Sequence, residues 1–140
     1  MTIIAISSTP TPITLFAGTV HAGFPTGGDI HEENKINLND YLLLNANASF
    51  LFRVKGVSMI DVGIYDDDVL IVDRSITPAH NHIVLAIIDE EFTVKRLFKR
   101  GQDIRLVAEN ANFSPIVLVE GQELRIWGVV TYNLHNLLKV

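Results

Sequence analysis

From Phe50 to Leu134 the chain is a series of short apolar runs separated by Gly, Pro, Asp and Asn, and this rhythm restricts its folds more than any other feature. The runs are "FLFRVK" (Phe50 to Lys55), "DVLIVD" (Asp68 to Asp73), "HIVLAIID" (His82 to Asp89), "EFTVKRLF" (Glu91 to Phe98), "IRLVAE" (Ile104 to Glu109), "PIVLV" (Pro115 to Val119) and "LRIWGVVTYNL" (Leu124 to Leu134). They are rich in β-branched and aromatic residues and are too short for typical helices. "DVLIVD", bounded by acids, is apolar on both parities, the mark of a strand buried on both faces. The third and fourth runs meet at Asp89-Glu90-Glu91 and read as a hairpin. The expectation is a mainly β domain of folded antiparallel sheets.

The first forty residues differ. "SSTPTP" disfavours regular structure through proline and short polar side chains. "HAGFPTGGD" (His21 to Asp29) puts three glycines and a proline within nine residues, so it reads as an exposed, flexible segment that a protease can thread. "NLNDYLLL" (Asn37 to Leu44) predicts one short helix capped by Asn37 or Asn39. The expected organisation is a flexible N-terminal arm over 1–40 and a β-rich domain over 41–140. The arm leaves little room for a helix-turn-helix.

Composition narrows function. The net charge is −5, with 11 Lys and Arg against 16 acids, and the only basic run is "VKRLFKR" (Val94 to Arg100). Alternation along a strand would divide its charges between two faces. A grip on duplex DNA needs a cationic face, so direct duplex binding is not expected. Without cysteine there is no disulfide, thiolate metal site or cysteine nucleophile. The first residues lack the cationic start of a secretory signal, and the run Ile83 to Ile88 falls far short of the ~20 residues of a membrane span. The expectation is a soluble cytoplasmic protein with no membrane partner.

"KGVSMI" (Lys55 to Ile60) interrupts two apolar runs and presents Ser58 just after an extended strand. A serine hydroxyl is a weak nucleophile and needs a base. The histidines are His21, His31, His80, His82 and His135, and no spacing among them singles out a triad. Among the lysines, Lys95 lies in "EFTVKRLF" on one strand face with Thr93 and Leu97. An ordinary lysine has a pKa near ~10.4 and is about one part in a thousand neutral near pH 7.4; burial lowers that pKa. Taken alone, these positions read by default as solvated histidines and a lysine with a solvated tip, and the base stays open.

The stretch "KGVSMIDVGIYDDDVLIVDRSITPAHNHIVLAIIDEEFTVKRL" resembles the serine–lysine self-cleaving domain of the LexA-like peptidases, most of all the UmuD branch of SOS mutagenesis proteins. The resemblance spans Phe50 to Val130 and reaches back into the arm. It rests on Ser58-Met59, Gly63-Ile64, Asp66 and Asp68, "LIVD", "FTVK", "NANFSPI" (Asn110 to Ile116) and "WGVV" (Trp127 to Val130), with a Ser58-to-Lys95 interval of 37 positions. In the arm, "HAGFP" resembles the cleavage segment, with Ala22-Gly23 in place of the scissile bond, and "INLNDYLL" continues the likeness. Two positions depart: Asp67 stands where members often carry glycine, and Val57 precedes Ser58 where some relatives are polar.

The resemblance implies the LexA/UmuD C-terminal peptidase fold and a serine endopeptidase that cuts its own arm. It implies Ser58 as nucleophile, Lys95 as general base, backbone N–H groups of Ser58 and Met59 at the oxyanion, and no metal or cofactor. It further implies a homodimer, RecA–ssDNA-stimulated cleavage, and service to a UmuC-type error-prone translesion DNA polymerase. The alternatives are a non-enzymatic polymerase-binding scaffold and a phage-type repressor fragment lacking its DNA-binding domain.

Overall fold

The structure is a computed structural model that describes residues 11–25, 27, 30–118 and 123–139. It divides into two compact units, Met1–Leu44 and Asn45–Val140. In the first, strands β1 (Pro12–Ala17) and β2 (His31–Asn37) pair antiparallel, and the short helix α1 (Leu38–Leu42) follows at once. Asn37 caps that helix by accepting from the Asn39 N–H at 3.0 Å, as "NLNDYLLL" predicts. The hairpin adds to the sequence reading of the arm, which anticipated only the helix. "PITLFA" carries enough β-forming residues to pair despite the prolines at its start; Ile13 lies opposite Ile36. Met1 to Pro10, with most of "SSTPTP", and Thr26, Gly28 and Asp29 lie outside the described residues.

The second unit is one seven-stranded sheet, all antiparallel. Its strands are β3 (Ser49–Arg53), β4 (Val69–Asp73), β5 (Ile83–Ile88), β6 (Glu91–Arg100), β7 (Asp103–Val107), β8 (Ile116–Val117) and β9 (Leu124–Leu134). Their order across the sheet is β3-β4-β9-β5-β6-β7-β8. The mainly β expectation is met, and each of the seven apolar runs contributes a strand. β8 is the shortest; Val119, at the end of its run, lies outside the described residues.

Alternation along β5 builds the core on both sides of the sheet. Leu85 joins Met59, Ile64, Leu70 and Val72 in one cluster. Val84 and Ala86 join Leu97, Leu106 and Val129 in the other. Two buried faces explain why this run carries no alternating polar residues. β9 lies between β4 and β5, and its register slips against both: between Ile71 and Val72 on one side, and between Leu85 and Ala86 on the other. Such bulges raise local twist and let a long sheet fold over.

Gly128 sits between these irregularities, opposite Leu85. A Cβ there would fall 2.6 Å from Val72 Cγ1 and 3.3 Å from the Asp73 carbonyl oxygen. Glycine is therefore required by close approach of neighbouring strands rather than by dihedral freedom. Gly128→Ala is expected to cost about 1–3 kcal/mol through overpacking, read as a lower denaturation midpoint at unchanged m-value.

Candidate active site

The turn that carries Ser58 is shaped by elements on either side. Past Arg53 the chain continues its ladder for one more step: the Val54 N–H donates to the Asp68 carbonyl and the Asp67 N–H to the Val54 carbonyl, both at 2.8 Å. Gly56 then adopts φ +102°, a conformation that L side chains rarely take, and the chain turns. Its N–H donates to Asp66 Oδ1 at 2.7 Å. Met59, only 2 % exposed, plugs into the core cluster with Ile64 and Leu70. A single 3₁₀ turn (Ile60–Val62) follows and ends at Gly63, φ +81°. Across the turn, the Asp61 N–H donates to the Glu109 carbonyl at 2.8 Å. The Ser-Met pair thus divides its labour: Met59 anchors the turn and Ser58 faces the cleft.

Strand β6 brings Lys95 to that serine. Lys95 is paired in register with Val84, and Thr93 with Ala86; both partners are fully buried. The Lys95 ammonium nitrogen lies 3.0 Å from Ser58 Oγ, 3.1 Å from Thr93 Oγ1 and 3.0 Å from the Val94 carbonyl oxygen. Burial lowers its pKa below the usual 10.5 by disfavouring the charged form. The three contacts suit both protonation states. An ammonium donates all three hydrogens to them. A neutral amine donates to Thr93 and Val94 and turns its lone pair to the Ser58 hydroxyl proton. A proton can pass between Oγ and Nζ with the heavy atoms in place. Among the described residues, Ser58 Oγ has no histidine partner. His80 and His82 accept backbone N–H groups of Lys99 and Ala79, and His135 contacts Asp68.

The pair lies in a cleft of about 270 Å³ whose walls include Phe52, Leu70, Leu85, Phe92 and Val94. Apolar walls are the physical source of the lysine's desolvation. The rim carries Arg53 and Lys55, both paired with Asp67 at 3.2 and 3.5 Å. The Arg53 guanidinium, with Lys55, holds the Asp67 carboxyl below the usual range. Asp67 has φ +73°, a left-handed backbone position that this chain fills with aspartate, one of the side chains that tolerate it. Asp68 is buried. Burial by itself would raise its pKa, but hydrogen bonds from Asn133 Nδ2 at 2.7 Å, His135 Nδ1 at 2.5 Å and the Tyr65 N–H at 2.7 Å outweigh this and lower it. The three consecutive acids thus hold three parts of the loop: Asp66 the turn, Asp67 the cationic rim, Asp68 the last strand.

Ala22 and Gly23 lie in the first unit, exposed, in the connection between β1 and β2. A Cβ at Gly23 would meet nothing within 4 Å. The N–H groups of Ser58 and Met59 donate to no acceptor among the described residues. Sequence reasoning placed Thr93 on the face of Lys95 but gave it no task; its hydroxyl is one of the three partners of the amine. In the sequence Asp66 is legible only as part of a motif, because its bond to Gly56 spans ten positions that a turn must first bring together.

The chain matches the peptidase S24-like family over residues 14–131. It belongs to that family. It is 40 % identical over 124 residues to protein MucA of Salmonella typhimurium, covering 87 % of this chain and 84 % of that protein. It is 38 % identical over 123 residues to protein ImpA of Shigella flexneri, covering 87 % and 83 %. To the LexA repressor of Caldicellulosiruptor saccharolyticus it is 43 % identical over 113 residues, covering 81 % of this chain and 54 % of the repressor. These likenesses bear out the resemblance read from the sequence and make the chain a LexA-like, SOS-related self-cleaving protein of the serine peptidase kind. Among the described residues, no helix is long and apolar enough to cross a membrane.

The lowered lysine pKa has a consequence for stability. Between that value and the ordinary 10.5 the unfolded chain binds more protons than the folded one, so stability rises with pH across this window. Lys95→Met removes the penalty of holding a charge in the cleft. The variant is expected to unfold at a higher temperature than the parent near neutral pH, with the gap closing toward pH 10.5. Calorimetry at several pH values measures this.

Proposed function

We propose that this protein is a serine endopeptidase that cuts its own N-terminal arm between Ala22 and Gly23, with Ser58 as nucleophile and Lys95 as general base. The observation that carries this reading is the 3.0 Å approach of a half-buried, pKa-lowered lysine amine to a serine hydroxyl on a braced turn. The arm comprises residues 1–40 and the peptidase domain residues 41–140.

The reaction runs in two halves. Neutral Lys95 takes the Ser58 hydroxyl proton as Oγ bonds to the Ala22 carbonyl carbon. The resulting oxyanion is met by the backbone N–H groups of Ser58 and Met59. The adduct then collapses: the bond to the Gly23 nitrogen breaks, Lys95 returns its proton to that leaving amine, and an ester to Ser58 remains. Water, deprotonated by Lys95, then attacks the ester. This frees the Ala22 carboxylate and restores the Ser58 hydroxyl. The small size of Ala22 and Gly23 lets the substrate backbone enter a narrow cleft. Because space around Gly23 is open in the hairpin connection, a larger residue there would be resisted by the cleft and not by the arm's own fold.

The biological reading follows the family. A RecA–ssDNA filament stimulates cleavage, the protein works as a cytoplasmic homodimer, and the processed form serves a UmuC-type error-prone translesion polymerase. A vestigial site in a polymerase-binding scaffold is disfavoured by the aligned Ser–Lys pair. A DNA-binding repressor is disfavoured by the acidic charge balance.

Incubation with RecA, ATP and single-stranded DNA is expected to yield a fragment beginning at Gly23, identified by N-terminal sequencing. Ser58→Ala and Lys95→Ala are each expected to lower its rate of formation by at least about 10³-fold; an undiminished rate in either variant rejects the dyad. Gly23→Trp should block processing while leaving the circular dichroism spectrum unchanged, and normal processing would move the scissile bond elsewhere. With RecA omitted, spontaneous cleavage should accelerate as pH rises toward the lowered lysine pKa and then level off.

A further inference from the structure

The "NANFSPI" segment has no part in the chemistry above, yet its first residue touches the turn at a telling atom. Asn110 Nδ2 donates to the carbonyl oxygen of Val57 at 2.9 Å. That carbonyl belongs to the same peptide unit as the Ser58 N–H. A trans peptide is planar, with its C=O and N–H antiparallel, so fixing the direction of one fixes the other. The Ile60 N–H also reaches the Val57 oxygen, but at 3.4 Å. Asn110 is therefore the closer of the two donors that set this plane. Drawing electron density toward the carbonyl oxygen also makes the Ser58 N–H a stronger donor.

Asn110 is itself held ready for this. Its Oδ1 accepts the Asn112 N–H at 3.1 Å, which settles which end of the amide faces Val57. Its own carbonyl accepts the Phe113 N–H at 3.1 Å. The preceding Glu109 accepts the Asp61 N–H through its carbonyl, sends its own N–H to Met59 Sδ at 3.4 Å, and pairs with Arg96 next to Lys95. The amide meets both demands at this position, whereas an aspartate carboxylate cannot donate and an alanine reaches neither partner.

We infer that Asn110 is the positioning residue of the oxyanion site, orienting the Val57–Ser58 peptide so that the Ser58 N–H points at the oxygen that becomes charged during acyl transfer. This rests on the peptidase reading above and extends it to a residue that neither attacks nor takes a proton.

The test uses the full-length chain, with Ser58→Ala and Lys95→Ala run beside Asn110→Ala. Asn110→Ala is expected to slow self-cleavage roughly 10- to 100-fold, less than loss of a direct oxyanion donor, with the midpoint of the pH–rate profile unmoved. A second measurement separates positioning from general damage. A peptide aldehyde spanning residues 18–22 captures Ser58 as a hemiacetal: Oγ bonds to the aldehyde carbon, and the hydroxyl proton ends on the former aldehyde oxygen, which occupies the oxyanion site. The peptide amide of the same residues binds without forming that bond. In Asn110→Ala the aldehyde is expected to bind about tenfold or more weakly while the amide binds as before. Equal weakening of both, or of neither, overturns the inference, as does a cleavage rate equal to the parent's. If Ser58→Ala or Lys95→Ala still cleaves, the peptidase reading itself fails. If those two are inactive and Asn110→Ala is fully active, only the role of Asn110 is lost.

Discussion

A lysine amine held partly out of water beside a serine hydroxyl is the constraint that the rest of this molecule is arranged around. An amine of ordinary basicity would be protonated at neutral pH and could accept nothing. The sheet changes this through register. With Val84 and Ala86 fully buried opposite Lys95 and Thr93, the amine is drawn into apolar surroundings where its charge is disfavoured. Thr93 and Val94 then supply fixed acceptors in place of mobile water. A shift of one residue between β5 and β6 would turn Lys95 to the other face of the sheet, so its approach to Ser58 depends directly on the strand pairing.

The serine half is held by a different logic. Its turn has little regular structure of its own and relies on side chains that arrive from distant positions. Asp66 accepts the Gly56 N–H, Asn110 donates to the Val57 carbonyl, and Met59 is sunk in the core. Asp67 fills a left-handed position and at the same time gathers Arg53 and Lys55. Rigidity here comes from convergence: two hydrogen bonds from two other segments and one side chain sunk in the core define one short loop.

The sequence carried much of this, unevenly. The seven apolar runs became strands because their period and turn residues are local properties, and β9 spans Leu124–Leu134 as its run does. The common face of Thr93 and Lys95 was also legible, since period two needs no partner strand. The hairpin of β1 and β2 was not. "SSTPTP" and the glycines dominate that region's composition, whereas pairing depends on a match between Ile13 and Ile36 across 23 positions. The contacts of Asp66 and Asn110 were hidden for the same reason, because a hydrogen bond between distant segments exists only once the chain has closed. The family likeness supplied Ser58 with Lys95, where the residues alone left the base undecided.

Under the proposed cleavage, the placement of Ala22 and Gly23 between β1 and β2 has a further result. While the loop is intact, the two strands are tethered and their ladder forms within one polypeptide. Once severed, the same ladder would become an encounter between separate molecules, and a two-stranded ribbon is marginal even when joined. Dilution would then carry the released strand away and leave residues 31–37 with a bare edge of N–H and C=O groups. A single hydrolysis would thus act as a ratchet, because no later folding step could restore the lost proximity.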